Sequence, residues 1–411
     1  MTVHSSSPSP SHLGITRKAL VFGFISVFLC AIGFGIVIPV VPFLVQPYVQ
    51  DASQQAVIVA WLTSVYAICV FIASPALGAL SDRYGRRPVL LLCLLGSVAG
   101  YLLFGIGSAL WILFVGRIIE GITGGTIATL FAYFADITSA EQRTRYFGWI
   151  GAAAGAGTII GPSLGGILAG ISYTAPLYFG AAITLLNMLY GWRYMPESLA
   201  PQLRVKHIPL SRLNPFLQLA NILSVKSLQR LLFVAFLLWL PNGAMQAVLA
   251  QFTLDMFHWQ PVWIGLVFSI IGIQDILSQS LIMPRLLTRM SSVSIAILGM
   301  VAELCGYGLI AESVAFSSYG LFLAGMFVFG FGDSIFGPSF NGLLSTSADA
   351  SQQGRVQGGS QSIQSLARVL GPLIGGHLYV SLGHAAPAWM GVILIGIAAI
   401  VLYRKVYRAA S

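Results

Sequence analysis

Long, continuously apolar stretches dominate the sequence, and short polar segments separate them. About 20 apolar residues cross a bilayer as a helix, whereas barrel strands are short and alternate apolar with polar residues. The pattern therefore predicts an all-α membrane protein with twelve transmembrane helices. We number these spans 1 to 12, and they cover residues 19–45, 56–80, 88–108, 110–136, 146–171, 174–195, 229–249, 261–283, 292–312, 318–344, 358–381 and 387–404.

One pattern of glycine and proline occurs in both halves of the chain. Gly157-x-x-x-Gly161-Pro162-x-x-Gly165-Gly166 in span 5 returns in span 11 as Gly371-Pro372-x-x-Gly375-Gly376, 210 residues further on. Arg145 and Gly148 recur as Arg355 and Gly358 at the same offset. Chance is the alternative, but six matches at one offset favour a duplication. Duplicated halves around a central path are typical of transporters.

The duplication predicts two pseudo-symmetric six-helix bundles. The stretch between spans 6 and 7 contains proline and charged residues and is interpreted as the linker between the bundles. The first residues are rich in serine and proline, which is typical of disorder. The predicted organisation is a cytoplasmic tail at 1–18, a first bundle at 19–195, a linker at 196–228, a second bundle at 229–404 and a cytoplasmic tail at 405–411.

Composition and charge support a membrane location. Hydrophobic residues make up 57% of the chain and charged residues 8%, whereas a soluble domain carries about 25% charged residues. The net charge of +9 is compatible with nucleic-acid binding, but the loops predicted to lie outside contain no lysine or arginine. This distribution follows the positive-inside rule and predicts a multi-pass protein of the cell inner membrane, with both termini cytoplasmic and no nucleic-acid partner.

The cysteines and the N-terminal segment add two smaller expectations. All four cysteines, Cys30, Cys69, Cys93 and Cys305, fall within predicted spans, so no disulfide framework is indicated. The first apolar run is too long for a cleavable signal, and we expect span 1 to stay in the membrane.

Several charged residues fall inside the predicted spans, where a charge is costly and indicates a functional role. Arg117 and Glu120 in span 4 lie three residues apart on one helix face, with a self-neutralising structural pair as the alternative. Asp333 in span 10 and Arg368 in span 11 have similar depths, and we expect them to form an ion pair that is either structural or substrate-facing. Two further carboxyl groups, Asp275 and Glu303, lie within spans 8 and 9.

A set of polar and aromatic residues in the spans is predicted to line a substrate cavity. The aromatic members would stack on an aromatic ligand, and helix packing is the alternative for each residue. The set comprises Asn242, Gln246, Gln274, Gln361, Gln364, Tyr66, Phe252 and Phe336, together with Asp333 and Arg368.

The loop after span 2 resembles a known signature. Gly78-x-x-x-Asp82-Arg83-x-Gly85-Arg86-Arg87 is similar to the loop motif of the major facilitator superfamily, and the number of spans agrees. A solvated basic turn that only sets topology is the alternative. The resemblance implies a cytoplasmic gate that joins the two bundles, with Gly78, Asp82, Arg83, Arg86, Asp136 and Arg355 as its members.

Span 5 resembles the signature of the drug/proton antiporters of that family, a signature that uptake members generally lack. The stretches 77–92, 108–124 and 138–166 resemble bacterial tetracycline/proton antiporters. The resemblance implies that Glu120, Asp275, Glu303 and Arg117 take part in proton coupling. The chain departs from the tetracycline antiporters at four positions: Cys30 and Gly100 replace aspartates, Asp275 replaces a histidine, and Glu303 replaces an aspartate.

No pattern indicates enzymatic chemistry. The chain has neither a phosphate-binding loop nor cysteines and histidines at metal-ligand spacing. We therefore expect no enzyme, no metal and no cofactor, with the proton gradient as the energy source. The predicted function is proton-coupled efflux of a small amphipathic compound, drug or tetracycline-like, by a monomer in the lipid bilayer, with antibiotic resistance as the consequence. Alternatives are export of an endogenous metabolite or siderophore, a proton-coupled uptake symporter, and a non-transporting sensor or assembly factor.

Overall fold

The computed structural model describes residues 17–138, 140–208, 213–224, 226–346 and 353–410. Within these residues every regular element is a helix. Ten helices in the described part are long and apolar enough to cross a membrane. Ala175–Tyr194 and Gln353–Ser381 complete the twelve spans. Span 6 packs on span 1, where Ser26 donates a hydrogen bond to Asn187 at 3.0 Å. The predicted fold class is confirmed.

The helices of the first bundle extend past the apolar stretches, since helical geometry continues into the polar ends. Span 1 comprises Arg17–Val37 and Val41–Val45, span 2 is Ala52–Tyr84, span 3 is Arg86–Ile106, span 4 comprises Leu110–Ile122 and Thr126–Ile137, span 5 is Ala140–Ala169, and span 6 is Ala175–Tyr194.

The second bundle follows a short linker helix, Pro215–Leu223. Its spans are Lys226–Phe257 (span 7), Pro261–Leu277 continued through Met283–Leu287 (span 8), Ser292–Ala315 (span 9), Tyr319–Thr346 (span 10), Gln353–Ser381 (span 11) and Ala386–Ala410 (span 12).

Three spans are interrupted in the described part of the chain, two of them at prolines or glycines. Span 1 leaves helical geometry at residues 38–40, where Pro39 and Pro42 remove backbone donors. Span 4 breaks at residues 123–125, which contain Gly124 and Gly125. Span 8 contains a π-helical turn, Ser278–Ile282, a feature that is frequent at functional sites.

The repeated glycines have the same packing role in both halves. Gly161 and Gly165 of span 5 lie so close to span 1 that an added Cβ would meet the carbonyl oxygens of Ile32 and Ile36. A Cβ added at Gly371 of span 11 would likewise meet the carbonyl oxygen of Leu240 in span 7. The duplicated pattern therefore brings the fifth helix of each half into backbone contact with the first helix of that half.

Candidate functional site

The two bundles meet tightly at one end of the molecule. Gly166, the last signature residue of span 5, lies against the backbone of Pro261 at the start of span 8, and Gly265 of span 8 lies against Pro162. One turn deeper, the hydroxyl oxygens of Ser163 and Ser269 are 2.6 Å apart. Backbone contact and a hydroxyl pair therefore close this side of the boundary between the bundles.

The same end is closed again on the other side. Gly376, which corresponds to Gly166 in the second half, lies against Ala60 of span 2. Ala56, one turn away in span 2, belongs to the buried core of the second bundle. Ala56 and Ala60 of span 2 thus pack against the opposite bundle. We call this the closed end.

The other end, which carries the Asp82–Arg87 loop, is open, and we call it the arginine-rich end. A Cβ added at Gly78 of span 2 would meet no atom within 4 Å among the described residues. The same holds along span 5 and span 10, at Gly148, Gly151, Gly155, Gly337 and Gly342. The bundles therefore enclose a cleft that opens toward the arginine-rich end.

A network of charged groups surrounds Arg86 at the arginine-rich end. Its guanidinium group donates to Asp82 at 2.5 Å and to Asp136 at 3.0 Å. It also donates to the Ser81 hydroxyl at 2.6 Å. The structure thus brings together three of the predicted gate residues, from spans 2, 3 and 4 of the first bundle.

The remaining gate residues lie outside this network in the described part of the chain. Arg83 stacks on the ring of Tyr84, with its guanidinium carbon 5.2 Å from the ring centroid. Gly78 was expected to permit close approach of a neighbouring helix, but it faces the open cleft. The side chain of Arg355 and residues 347–352, which precede span 11, lie outside what the structure describes.

Glu197 holds the signature loop, and sequence reasoning missed it. Its carboxylate accepts hydrogen bonds from the backbone N–H of Arg86 at 2.8 Å and of Arg87 at 3.2 Å, at the N-terminus of span 3, where a negative charge is favourable. Gly85, with φ of 107°, lets the chain turn directly beside this carboxylate. Glu197 lies 111 residues from Arg86, and no local spacing signals the contact.

A polar centre lies inside the first bundle, at span 4. Arg117 and Glu120 form an ion pair at 2.8 Å, and Glu120 is 6% exposed. The guanidinium carbon of Arg117 also lies over two rings, 5.3 Å from the centroid of Tyr66 and 4.8 Å from that of Phe104. The pair is therefore held by aromatic faces as well as by charge.

The packing around Gly100 explains why this position differs from the aspartate of the tetracycline antiporters. A Cβ at Gly100 would lie 2.9 Å from Cβ of Glu120 and 3.0 Å from the carbonyl oxygen of Gly116. An aspartate at position 100 would have no room in this packing. The first bundle supplies its buried carboxylate from Glu120 of span 4 instead of from span 3.

Three carboxyl groups approach one another inside the second bundle. Glu303 of span 9 is 1% exposed and packs on Gly332 of span 10. Asp333 follows Gly332 and lies within electrostatic range of both Glu303 and Asp275. None of the three forms an ion pair with a basic group in the described part of the chain. The side-chain amide of Asn242 donates to the Asp333 carboxylate at 3.5 Å, and that of Gln279 donates to the Asp275 carboxylate at 2.8 Å.

The expected ion pair between Asp333 and Arg368 is not formed. Asp333 receives the side-chain amide of Asn242 instead. Arg368 is exposed and lies within electrostatic range of Tyr66, which belongs to the first bundle. Arg368 therefore faces the cleft between the bundles.

The other predicted cavity residues divide into two groups. Gln246 and Gln361 are exposed, Gln364 donates to Ser360 within span 11, and Gln274 donates to the carbonyl oxygen of Phe327 in span 10. Phe252 and Phe336 are 1% and 2% exposed and stack on Phe322 and Phe340 in the core of the second bundle. These two rings, predicted to line a ligand cavity, therefore lie in the core of the second bundle in this structure.

Tyr66 alone among the predicted aromatic residues reaches the polar centre of the first bundle. It has a neighbour that the sequence did not single out, Phe34 of span 1, whose ring centroid lies 6.4 Å away. Phe34 is 42% exposed. Its position in an apolar run, without a local motif, left no sequence signal that could have separated it from a packing residue.

Comparisons with known proteins agree with this architecture. The model of the Major Facilitator Superfamily matches residues 23–368 and 231–411. The chain is 35% identical to the class C tetracycline resistance protein of Escherichia coli, over 94% of this chain and 95% of that protein. It is 32% identical to the class B protein of Escherichia coli, over 93% and 92% of the two chains.

A solved structure supports the same fold. The human organic anion transporter MFSD10 superposes with a TM-score of 0.72 at 22% identity, over 94% of this chain and 99% of that one. At this identity the likeness concerns the fold, whereas the sequence relatives establish kinship. The predicted resemblance is confirmed: this chain belongs to the Major Facilitator Superfamily and is a multi-pass membrane transporter rather than an enzyme.

Proposed function

We propose that this transporter exports a small amphipathic compound, drug or tetracycline-like, in exchange for protons. The observation that carries the proposal is the group of three carboxyl groups within the spans of the second bundle: Glu303 is buried against Gly332, and Asp333 and Asp275 accept hydrogen bonds from the neutral amides of Asn242 and Gln279. Ionisable groups within membrane spans are costly and indicate ion or proton pathways. The names of the relatives, which are tetracycline resistance proteins, favour export.

The orientation follows from the positive-inside rule. The arginine-rich end lies in the cytoplasm together with both termini, so the cleft described above faces inward. A single copy is sufficient, because the cleft lies between the two bundles of one chain. The linker at 196–228 joins these bundles on the cytoplasmic side.

The mechanism is alternating access. Substrate enters the inward-facing cleft beside Tyr66 and Arg368 while the embedded carboxyl groups release protons to the cytoplasm. The bundles then close at the arginine-rich end and open at the closed end. Substrate leaves, and protons from outside neutralise the carboxyl groups, which favours the return because a neutral group crosses a low-dielectric path at lower cost.

We rank Asp275 and Glu303 first as proton carriers, because they stand where similar antiporters carry ionisable groups. Glu120 comes next, and its ion pair with Arg117 orients it. Asp333 joins the candidates because it lacks the arginine partner expected from the sequence. The proton gradient supplies the energy, and no cofactor takes part.

Transport in proteoliposomes tests the proposal. Purified protein is reconstituted, a pH gradient is imposed, and flux of tetracycline and of a lipophilic fluorescent cation is measured with and without a protonophore. We expect accumulation of at least one compound that collapses with the gradient. Proton movement in the same direction as substrate would establish an uptake symporter instead. Flux indifferent to pH would refute proton coupling.

Export of an endogenous metabolite is the second candidate, favoured by the loss of carboxyl groups at Cys30 and Gly100 relative to the tetracycline antiporters. A competition assay separates the two functions. If the substrate is an endogenous metabolite, an extract of the cells that express this protein should displace a bound fluorescent compound, whereas tetracycline should not. A protein that binds but moves none of these compounds would point to the sensor alternative.

A further inference from the structure

The linker helix, Pro215–Leu223, stands at the mouth of the cleft. Asn214 fixes its beginning, because the side-chain oxygen accepts hydrogen bonds from the backbone N–H of Phe216 at 2.9 Å and of Leu217 at 3.2 Å. The helix packs against span 11 and span 7 of the second bundle and against span 2 of the first. It therefore bridges both bundles where they have separated.

Two side chains, one turn apart, make this bridge. Leu219 packs against the hydrophobic core of the second bundle. Phe216 points to the first bundle and meets Phe71 of span 2 edge to face, with ring centroids 5.5 Å apart and planes at 77°. The helix thus packs on the second bundle and, among the side chains that the structure describes, Phe216 joins it to the first bundle through this aromatic pair.

Phe71 lies on a face of span 2 that has to close. It is seven residues, or about two helical turns, from Gly78, so both occupy the same face of the helix. Gly78 belongs to the loop signature and faces open space. When the arginine-rich end closes, this face of span 2 has to approach span 11, since packed helices lie about 8–10 Å apart.

We propose that the linker helix is a wedge that keeps the arginine-rich end open and has to leave span 2 before the bundles can close. A helix is about 10 Å wide with its side chains, so the arginine-rich ends of spans 2 and 11 cannot meet while it stands between them, although the two spans touch at the closed end through Ala60 and Gly376. The pair of Phe216 and Phe71 is the latch of this wedge. The linker therefore sets the balance between the open and closed cleft, independently of the groups that bind substrate or protons.

Spin-label distances test the wedge without substrate. Cys30, Cys69, Cys93 and Cys305 are replaced by serine, and Gln142→Cys with Thr288→Cys places labels on exposed sites at the arginine-rich ends of spans 5 and 8. An edge-to-face aromatic pair shifts a two-state equilibrium by roughly twofold to tenfold. We expect Phe216→Ala to raise the ratio of short to long distances by that factor.

Leu217→Ala is the matched control, since Leu217 adjoins Phe216 on the same helix and is also exposed, at 40% against 61%. It should leave the distance distribution unchanged. An equal shift in both variants would mean that helix stability, rather than the latch, sets the balance. An unchanged distribution in Phe216→Ala would overturn the proposal.

A crosslink supplies a second test, in which the position of the linker is fixed although the aromatic pair is absent. Phe71→Cys with Phe216→Cys is joined by a short bifunctional methanethiosulfonate reagent in the background without native cysteines, and the spin labels are attached through oxime bonds to p-acetylphenylalanine at positions 142 and 288, which neither the reagent nor the reductant affects. The joined protein should show only long distances, and reduction should restore the short ones. Short distances that persist while the crosslink is intact would refute the wedge. Because no flux is measured, failure of proton-coupled export would not affect either result.

Discussion

The hydroxyl oxygens of Ser163 in span 5 and Ser269 in span 8 lie 2.6 Å apart across the boundary between the two bundles. Ser269 also donates to the carbonyl oxygen of Ile159, and Ser163 lies 3.4 Å from that of Gly265. The closed end is therefore held by hydrogen bonds as well as by glycine contacts. Single substitutions in this set of hydrogen bonds should therefore change how readily the closed end opens.

Ser269→Ala should favour opening of the closed end. A neutral hydrogen bond contributes about 0.5–1.5 kcal/mol, so we expect the population opened at this end to rise roughly twofold to tenfold. Spin labels at Ser172→Cys and Gln260→Cys, on exposed sites of that end, would measure it. Thr158→Ala is the control, because its hydroxyl bonds within its own helix to Ala154. Equal effects of the two substitutions would contradict the assignment.

Gly165→Ala should destabilise the protein, because its Cβ would meet the carbonyl oxygen of Ile36 in span 1. Overpacking of this kind costs about 1–3 kcal/mol. Gly308→Ala, where no described atom lies within 4 Å of the added carbon, should be neutral or stabilising by up to about 1 kcal/mol. Thermal unfolding in detergent, followed by tryptophan fluorescence, should lower Tm only for the first variant.

Asp82→Asn should slow the transport cycle and leave substrate binding intact. Asp82 pairs with Arg86 at the arginine-rich end, away from the embedded carboxyl groups. Asp136→Asn removes the other partner of Arg86 and should act in the same direction. Binding and turnover can be measured in one preparation. Lost affinity with unchanged turnover of bound substrate would be inconsistent with a gate.

Amide substitutions of Glu120, Asp275, Glu303 and Asp333 should separate proton carriers from structural acids. Neutralising a carrier should abolish accumulation driven by a pH gradient but permit downhill exchange of substrate. Glu312→Gln, at an exposed site near the closed end of span 9, is the control and should retain accumulation. If all four variants keep full proton-driven accumulation in proteoliposomes, coupling by these carboxyl groups is excluded.

The orientation can be checked with single cysteines in the background without native cysteines. Gln202→Cys lies in the exposed linker, and Leu382→Cys lies at the closed end, where Leu382 is 73% exposed. A membrane-impermeant maleimide applied to intact cells should label Leu382→Cys only. Labelling of Gln202→Cys before the membrane is permeabilised would reverse the proposed topology.

The sequence by itself determined the twelve helices and the kinship of the chain, because both depend on local properties. Apolar length sets a span, and glycine spacing sets the face on which helices meet, so the repeat of Gly161 and Gly165 in span 11 already indicated a second bundle of the same design. The loop motif likewise predicted a contact between Asp82 and Arg86, which lie one helical turn apart.

Contacts between distant elements depended on helix rotation and on the separation of the bundles, which hydropathy does not encode. Asp333 and Arg368 were expected to pair, but Asp333 receives the amide of Asn242 and Arg368 lies near Tyr66 of the first bundle. Phe252 was assigned to the path but lies in the core. Glu197 and Phe216 showed their roles only in three dimensions, because each meets a residue far away in the chain. Only the tertiary structure showed which end of the cleft is open, because a transporter adopts all of its conformations with one sequence.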